Sequence, residues 1–137
     1  MKQAFLLFIS FVFLTSMDGL SQVIKLKTTS MAIKIKSDYG TWGEWSEWSE
    51  EIMLATIDLD KDRITIYSNE TQIYDVAENE GETTDADGDV TFSLFCLDKD
   101  GLTCRIRLVR LNSQSGQNQL YVDYDDMRWV YNVYQLD

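Results

Sequence analysis

Residues 90–111, VTFSLFCLDKDGLTCRIRLVRL, constrain the fold more than any other stretch. Two runs rich in β-branched and aromatic residues flank Asp98-Lys99-Asp100-Gly101, a signal for the turn between two antiparallel strands. A three-residue loop, Lys99-Asp100-Gly101, sets the register, with Gly101 in the left-handed position that a Cβ would resist. Asp98 then faces Leu102, Cys96 faces Cys104, Leu94 faces Ile106 and Phe92 faces Leu108. Side chains alternate along a strand, so beyond the loop these pairs share one face. Phe95 opposite Arg105 and Ser93 opposite Arg107 share the other. The only two cysteines of the chain therefore oppose each other, and a disulfide between Cys96 and Cys104 is expected.

The compartment supports that bridge. Residues 1–21 read as a secretory signal peptide: Lys2 is the basic start, 4–14 the apolar core, and Gly19 and Ser21 the small residues before the cut. The apolar run is shorter than the roughly 20 residues a transmembrane helix needs, and no cysteine follows it to carry a lipid anchor. The chain is expected to be secreted or periplasmic, where disulfides persist. A bridge closing so short a loop stabilises by about 2 kcal/mol.

Residues 22–137 are expected to form a single domain. Without the leader, 11 basic and 22 acidic residues remain, a net charge of −11. Such a surface repels nucleic acid and anionic lipid. There is no histidine to shuttle protons near neutral pH. With both thiols in a bridge, nucleophilic triads and most metal sites fall away. A carboxylate pair could still serve a glycosidase, with Glu44, Glu47 and Glu50 the first suspects. Among 22 acidic residues a chance cluster is the simpler account. No catalytic residue and no cofactor are therefore assigned, and the chain is not read as an enzyme.

The remaining segments read as strand and turn. In 23–36, Ile24, Leu26 and Thr28 alternate with lysines, and then Ile33 and Ile35 do so with the parity reversed. One extra residue near Thr29-Ser30, a β-bulge, makes that switch; a turn dividing two strands is the alternative. Strands are expected at 52–59, 63–67 and 71–77. Residues 78–89, ENEGETTDADGD, read as a mobile acidic loop. In it Asp85, Asp87 and Asp89 are a weak calcium candidate, because the carboxylate at the twelfth position of a calcium loop is missing. Residues 120–124 and 128–136 form a last hairpin about Asp125-Asp126, placing Val122 opposite Trp129 and Asp123 opposite Arg128.

The period-two pattern and the succession of hairpins predict an all-β fold, a single antiparallel meander. The expected form is a closed or partly open barrel, lipocalin-like in architecture, with a two-sheet β-sandwich as the alternative. The segment 39–51 is unusual: Trp42, Trp45 and Trp48 recur every three residues with glutamates between them. That period suits a helical turn or a left-handed extended backbone better than a strand. Trp42, Trp45, Trp48 and Trp129 are the candidate ligand-binding residues, either as an aromatic platform or as part of a barrel lining. The expected function is a small binding module holding a hydrophobic or sugar ligand. The alternative is a protein acting through its acidic surface on a basic partner.

Three resemblances bear on this reading. Trp45-Ser46-Glu47-Trp48-Ser49 resembles the WSxWS box of cytokine-receptor fibronectin domains, and the W-x-x-W-x-x-W spacing resembles thrombospondin type 1 repeats. In both families arginines stack between tryptophans, a role open here to Arg105 and Arg107. The box stands too early in the chain for the first family, and two cysteines cannot supply the three disulfides of the second. The runs Ile64-Thr65-Ile66-Tyr67-Ser68, Gln72-Ile73-Tyr74, Cys96…Asp100-Gly101…Cys104 and Tyr131-Asn132 resemble small secreted proteins of marine Bacteroidetes. That resemblance implies export and no particular chemistry.

Overall fold

The computed structural model describes residues 23–136, so the expected signal peptide lies outside the described residues. The first strand, β1 (Val23–Ile35), carries the parity switch that the sequence predicts. Its register against the last strand slips between Thr28 and Ser30, leaving Thr29 as the extra residue of a bulge. Before the bulge Ile24, Leu26 and Thr28 are buried; after it Met31 packs against the core. The Thr28 hydroxyl is the buried polar group at the switch. It donates to the Glu51 carbonyl and accepts from the Met53 N–H at 2.8 Å, so burial leaves it satisfied.

The strands that follow are β2 (Ser49–Glu50), β3 (Leu54–Asp58), β4 (Arg63–Ile66) and β5 (Gln72–Thr84). Then come β6 (Val90–Leu97), β7 (Thr103–Leu111), β8 (Gln117–Asp123) and β9 (Met127–Gln135). From β3 to β9 each strand pairs antiparallel with its successor. β1 pairs with β3 on one edge and with β9 on the other. Eight strands thus close into a meander barrel, and β2 adds a short extra rung to β1. The lipocalin-like architecture is what forms, and closure excludes the sandwich.

Inward-facing residues fill the barrel. Phe92, Leu94, Ile106, Leu120 and Val122 are each no more than 1% exposed, and they join Ile24, Ile57, Ile64 and Ile66 in one cluster. An eight-stranded barrel is narrow enough for side chains to occupy its interior in this way.

The 90–111 hairpin takes the expected register at every pair from Phe92–Leu108 to Cys96–Cys104. Asp98 N–H donates to the Leu102 carbonyl at 2.9 Å, and Gly101 closes the loop with φ +83°. The expected bridge is corrected, because Cys96 and Cys104 are free, buried thiols. The register explains why. Asp98–Leu102 is a hydrogen-bonded pair, and two residues on, Cys96–Cys104 belongs to the same class, in which facing side chains stand farther apart. A disulfide needs Cβ atoms about 3.8 Å apart. The Cys96 thiol instead donates to the Leu94 carbonyl at 3.6 Å. Burial pushes the Cys96 thiol up to about 12 and the Cys104 thiol up to about 11.

A second correction concerns 78–89. Most of it is strand: β5 runs on to Thr84 against β6, with register shifts after Val76 and after Asn79. The acidic composition reads as loop, but pairing with a long neighbour overrides it. Glu80 finds a bidentate partner in Arg105, at 2.7 and 3.0 Å.

A meander places alternate turns at the same end. The 36–53 connection and the turns 67–71, 98–102 and 124–126 therefore rim one mouth. The turns 59–62, 85–89 and 112–116 lie at the opposite end, with Val23 and Leu136.

Candidate functional site

The three-residue spacing of the tryptophans has a geometric origin. After a turn at 37–41 the chain runs back along β1 as an irregular strand. Gly43 N–H donates to the Ile35 carbonyl and Ser46 N–H to the Ile33 carbonyl, and Ser49 pairs with Met31. The return segment thus advances three residues for every two of β1. Glycine suits the first of these contacts, since a Cβ at Gly43 would stand a tight 3.2 Å from the Ile35 carbonyl oxygen.

Trp42 and Trp45 lie on the outer wall. Lys34 on β1 directly opposes Arg128 on β9, a cross-strand pair of like charges that is unfavourable by itself. The Trp42 ring offsets it: Arg128 stands 4.6 Å from the ring centroid, Lys36 5.0 Å and Lys34 5.5 Å. Lys34 also lies 4.9 Å from the Trp45 centroid, and Trp45 meets Tyr121 edge-on at 6.2 Å. To reach Tyr121 on β8, Trp45 must cross β1 and β9, which accounts for the burial of the outward pair Ala32 and Val130. Asp123 adds the counter-charge, 2.6 Å from Arg107 and 3.5 Å from Arg128.

These cation–π contacts are thus made by Lys34, Lys36 and Arg128. The expected stackers behave otherwise: Arg107 lies over Tyr121 at 4.1 Å and Arg105 over Phe95 at 5.5 Å. Trp48 is 49% exposed. The faces of Trp42 are committed to the protein's own cations, which makes the wall a staple before it is a platform.

Trp129 is not brought together with the other three. It faces inward beneath the mouth and stacks on Tyr124, ring centroids 5.7 Å apart and planes inclined by 27°. Tyr124 and Trp129 line a cleft of about 290 Å³ together with Gln72, Tyr74 and Asp98. A neighbouring hollow of about 520 Å³ shares Gln72 and Glu70 and extends to Glu51 and Met53. Hydrogen bonds hold the lining: the Tyr124 hydroxyl donates to Asp98 Oδ2 at 2.7 Å and the Tyr74 hydroxyl to Gln72 Oε1 at 2.6 Å.

Asp98 is the best-held carboxylate of the rim. The Tyr124 hydroxyl and the N–H groups of Leu102 and Asp100 keep its carboxyl below the usual range. Burial raises the Tyr74 and Tyr124 hydroxyls well above the ordinary tyrosine value, so both remain neutral donors. In the sequence Asp98 is explained by its turn, and nothing singles out Tyr74 or Tyr124. The signal that could have gathered them is that 67–71, 98–102 and 124–126 are alternate turns of a meander.

The calcium candidates lie at the other end of the barrel. Asp85, Asp87 and Asp89 bring carboxylate oxygens within 4.8 Å of one another. Asp85 Oδ1 accepts the N–H groups of Asp87 and Asp89, and Asp89 accepts the N–H and hydroxyl of Ser113. Those bonds account for the turn without an ion.

Among the described residues, no helix is long and apolar enough to cross a membrane, a test that does not bear on spanning by strands. No family model, no curated protein and no solved structure matches the chain. The class defined by the fold is therefore the closed antiparallel meander barrel, with its interior packed and an aromatic, carboxylate-rimmed cleft at one mouth.

Proposed function

We propose that the chain is a small exported binding module, without catalytic activity, that holds a sugar in the mouth cleft. The carrying observation is the Tyr124–Trp129 stack set beside Gln72, Tyr74 and Asp98. Flat apolar rings next to a few fixed donors and acceptors suit a sugar ring, whose C–H face packs on the aromatic surface while its hydroxyls find partners. The packed interior favours a ligand at the rim over a fatty acid or retinoid threaded through the barrel.

Titration of intrinsic fluorescence tests this. Oligosaccharides shift the Trp129 emission, fatty acids and retinoids do not, and Trp129→Phe removes the shift. No response to any sugar, or a response that survives Trp129→Phe, refutes the assignment.

A further inference from the structure

We infer that the mouth cleft selects a sugar bearing a protonated amine, an inference that rests on the sugar reading above. The charge is distributed to that end. Glu70, Asp98 and Asp100 line the cleft against one cation, Lys99, and the adjoining hollow brings in Glu51 with no further cation. The rings of Tyr74, Tyr124 and Trp129 stand beside these carboxylates. Carboxylates next to aromatic faces recognise ammonium groups, the first by charge-assisted hydrogen bonds and the second by the ring quadrupole.

Lys99 indicates what the cleft accepts. Its ammonium reaches from the 98–102 turn to the 67–71 turn and donates to the Thr71 carbonyl at 3.1 Å. An ammonium of the chain itself thus straps the cleft, on a carbonyl flanked by Glu70. A ligand amine would take the same seat and displace the Lys99 side chain, whose exposure lets it swing into solvent. The hydroxyls of a neutral sugar can bond to the carboxylates without balancing their charge. An aminosugar does both.

The test is a fluorescence titration of the full chain with three tetrasaccharides: β-1,4-linked glucosamine, its fully N-acetylated counterpart, and the glucose equivalent. Measurements near pH 5 keep the amine protonated. The glucosamine tetramer is expected to bind at least tenfold more tightly than either neutral sugar, and added salt should narrow that margin. Lys99→Met should widen the margin between the glucosamine and glucose tetramers severalfold and Asp100→Asn should narrow it; a margin that neither variant moves overturns the charge inference. Equal binding of all three sugars overturns the charge inference and leaves the sugar site standing. Binding of none overturns both.

Discussion

Replacing Trp42 with leucine keeps an apolar side chain on the outer wall but removes the ring quadrupole that three cations share. Arg128, Lys36 and Lys34 lie 4.6, 5.0 and 5.5 Å from its centroid. Cation–π contacts at partly exposed sites contribute about 0.5–1 kcal/mol each. The three together give roughly 1.5–3 kcal/mol, and Trp42→Leu also leaves Asp123 alone to offset the Lys34–Arg128 opposition. Phenylalanine retains a weaker quadrupole and should lose less. In urea, where small domains unfold with a slope of about 1–3 kcal/mol per molar, the leucine variant should unfold about 1 M earlier. Salt should recover part of the loss by screening the like charges. A leucine variant with the wild-type midpoint, or one indistinguishable from phenylalanine, contradicts a charge-balancing role for Trp42. Either result would mean that Trp42 acts by covering surface and not by balancing charge.

Other outcomes follow from the same geometry. The two thiols should resist a water-soluble disulfide reagent in the native protein and react as two equivalents in urea; fast native labelling, or no thiol at all, contradicts free buried cysteines. Stability should be flat from about pH 6 to 8.5, fall in acid as Asp98 is protonated, and fall as pH rises toward 11, because the unfolded chain releases thiol protons that the native state holds until about 11 and 12, joined above about pH 10 by those of Tyr74 and Tyr124. Each thiol contributes up to about 1.4 kcal/mol per pH unit in that window, and a Cys96→Val/Cys104→Val variant should show a shallower slope. Gly43→Ala should cost about 1 kcal/mol by crowding the Ile35 carbonyl, read from the urea midpoint, whereas alanine at an exposed wall position should cost nothing measurable. Thr28→Val should cost about 1–3 kcal/mol, since it leaves the Met53 N–H and Glu51 carbonyl without their buried partner.

What could be read from the sequence was whatever local chemistry settles alone. The Asp98–Gly101 turn and the alternation on either side suffice for the hairpin register, and Asp125-Asp126 suffices for Asp123 opposite Arg128. The reversed parity after Thr28 suffices for the bulge. What failed depended on distant partners. The tryptophan period looks helical or left-handed because its true ruler is β1, which lies across the hairpin. Residues 78–84 look like loop because nothing in them reveals the length of β6. The cysteines were correctly placed opposite each other, yet bonding turns on the hydrogen-bond class of the pair. Gln72 and Tyr74 on β5, Asp98 in the hairpin turn and Tyr124 after β8 are far apart in the sequence, and only barrel closure makes them neighbours.

Closure also fixes which way the molecule points when held. The Leu136 N–H bonds to the Lys25 carbonyl, so both described ends emerge side by side, away from the Tyr124–Trp129 stack. A tag, bead or partner domain joined at Val23 or Leu136 would therefore act as a pedestal and leave the cleft turned to the solution. The same adjacency would let the two ends be spliced together and the chain reopened at 112–116, giving a permuted molecule with its rim untouched.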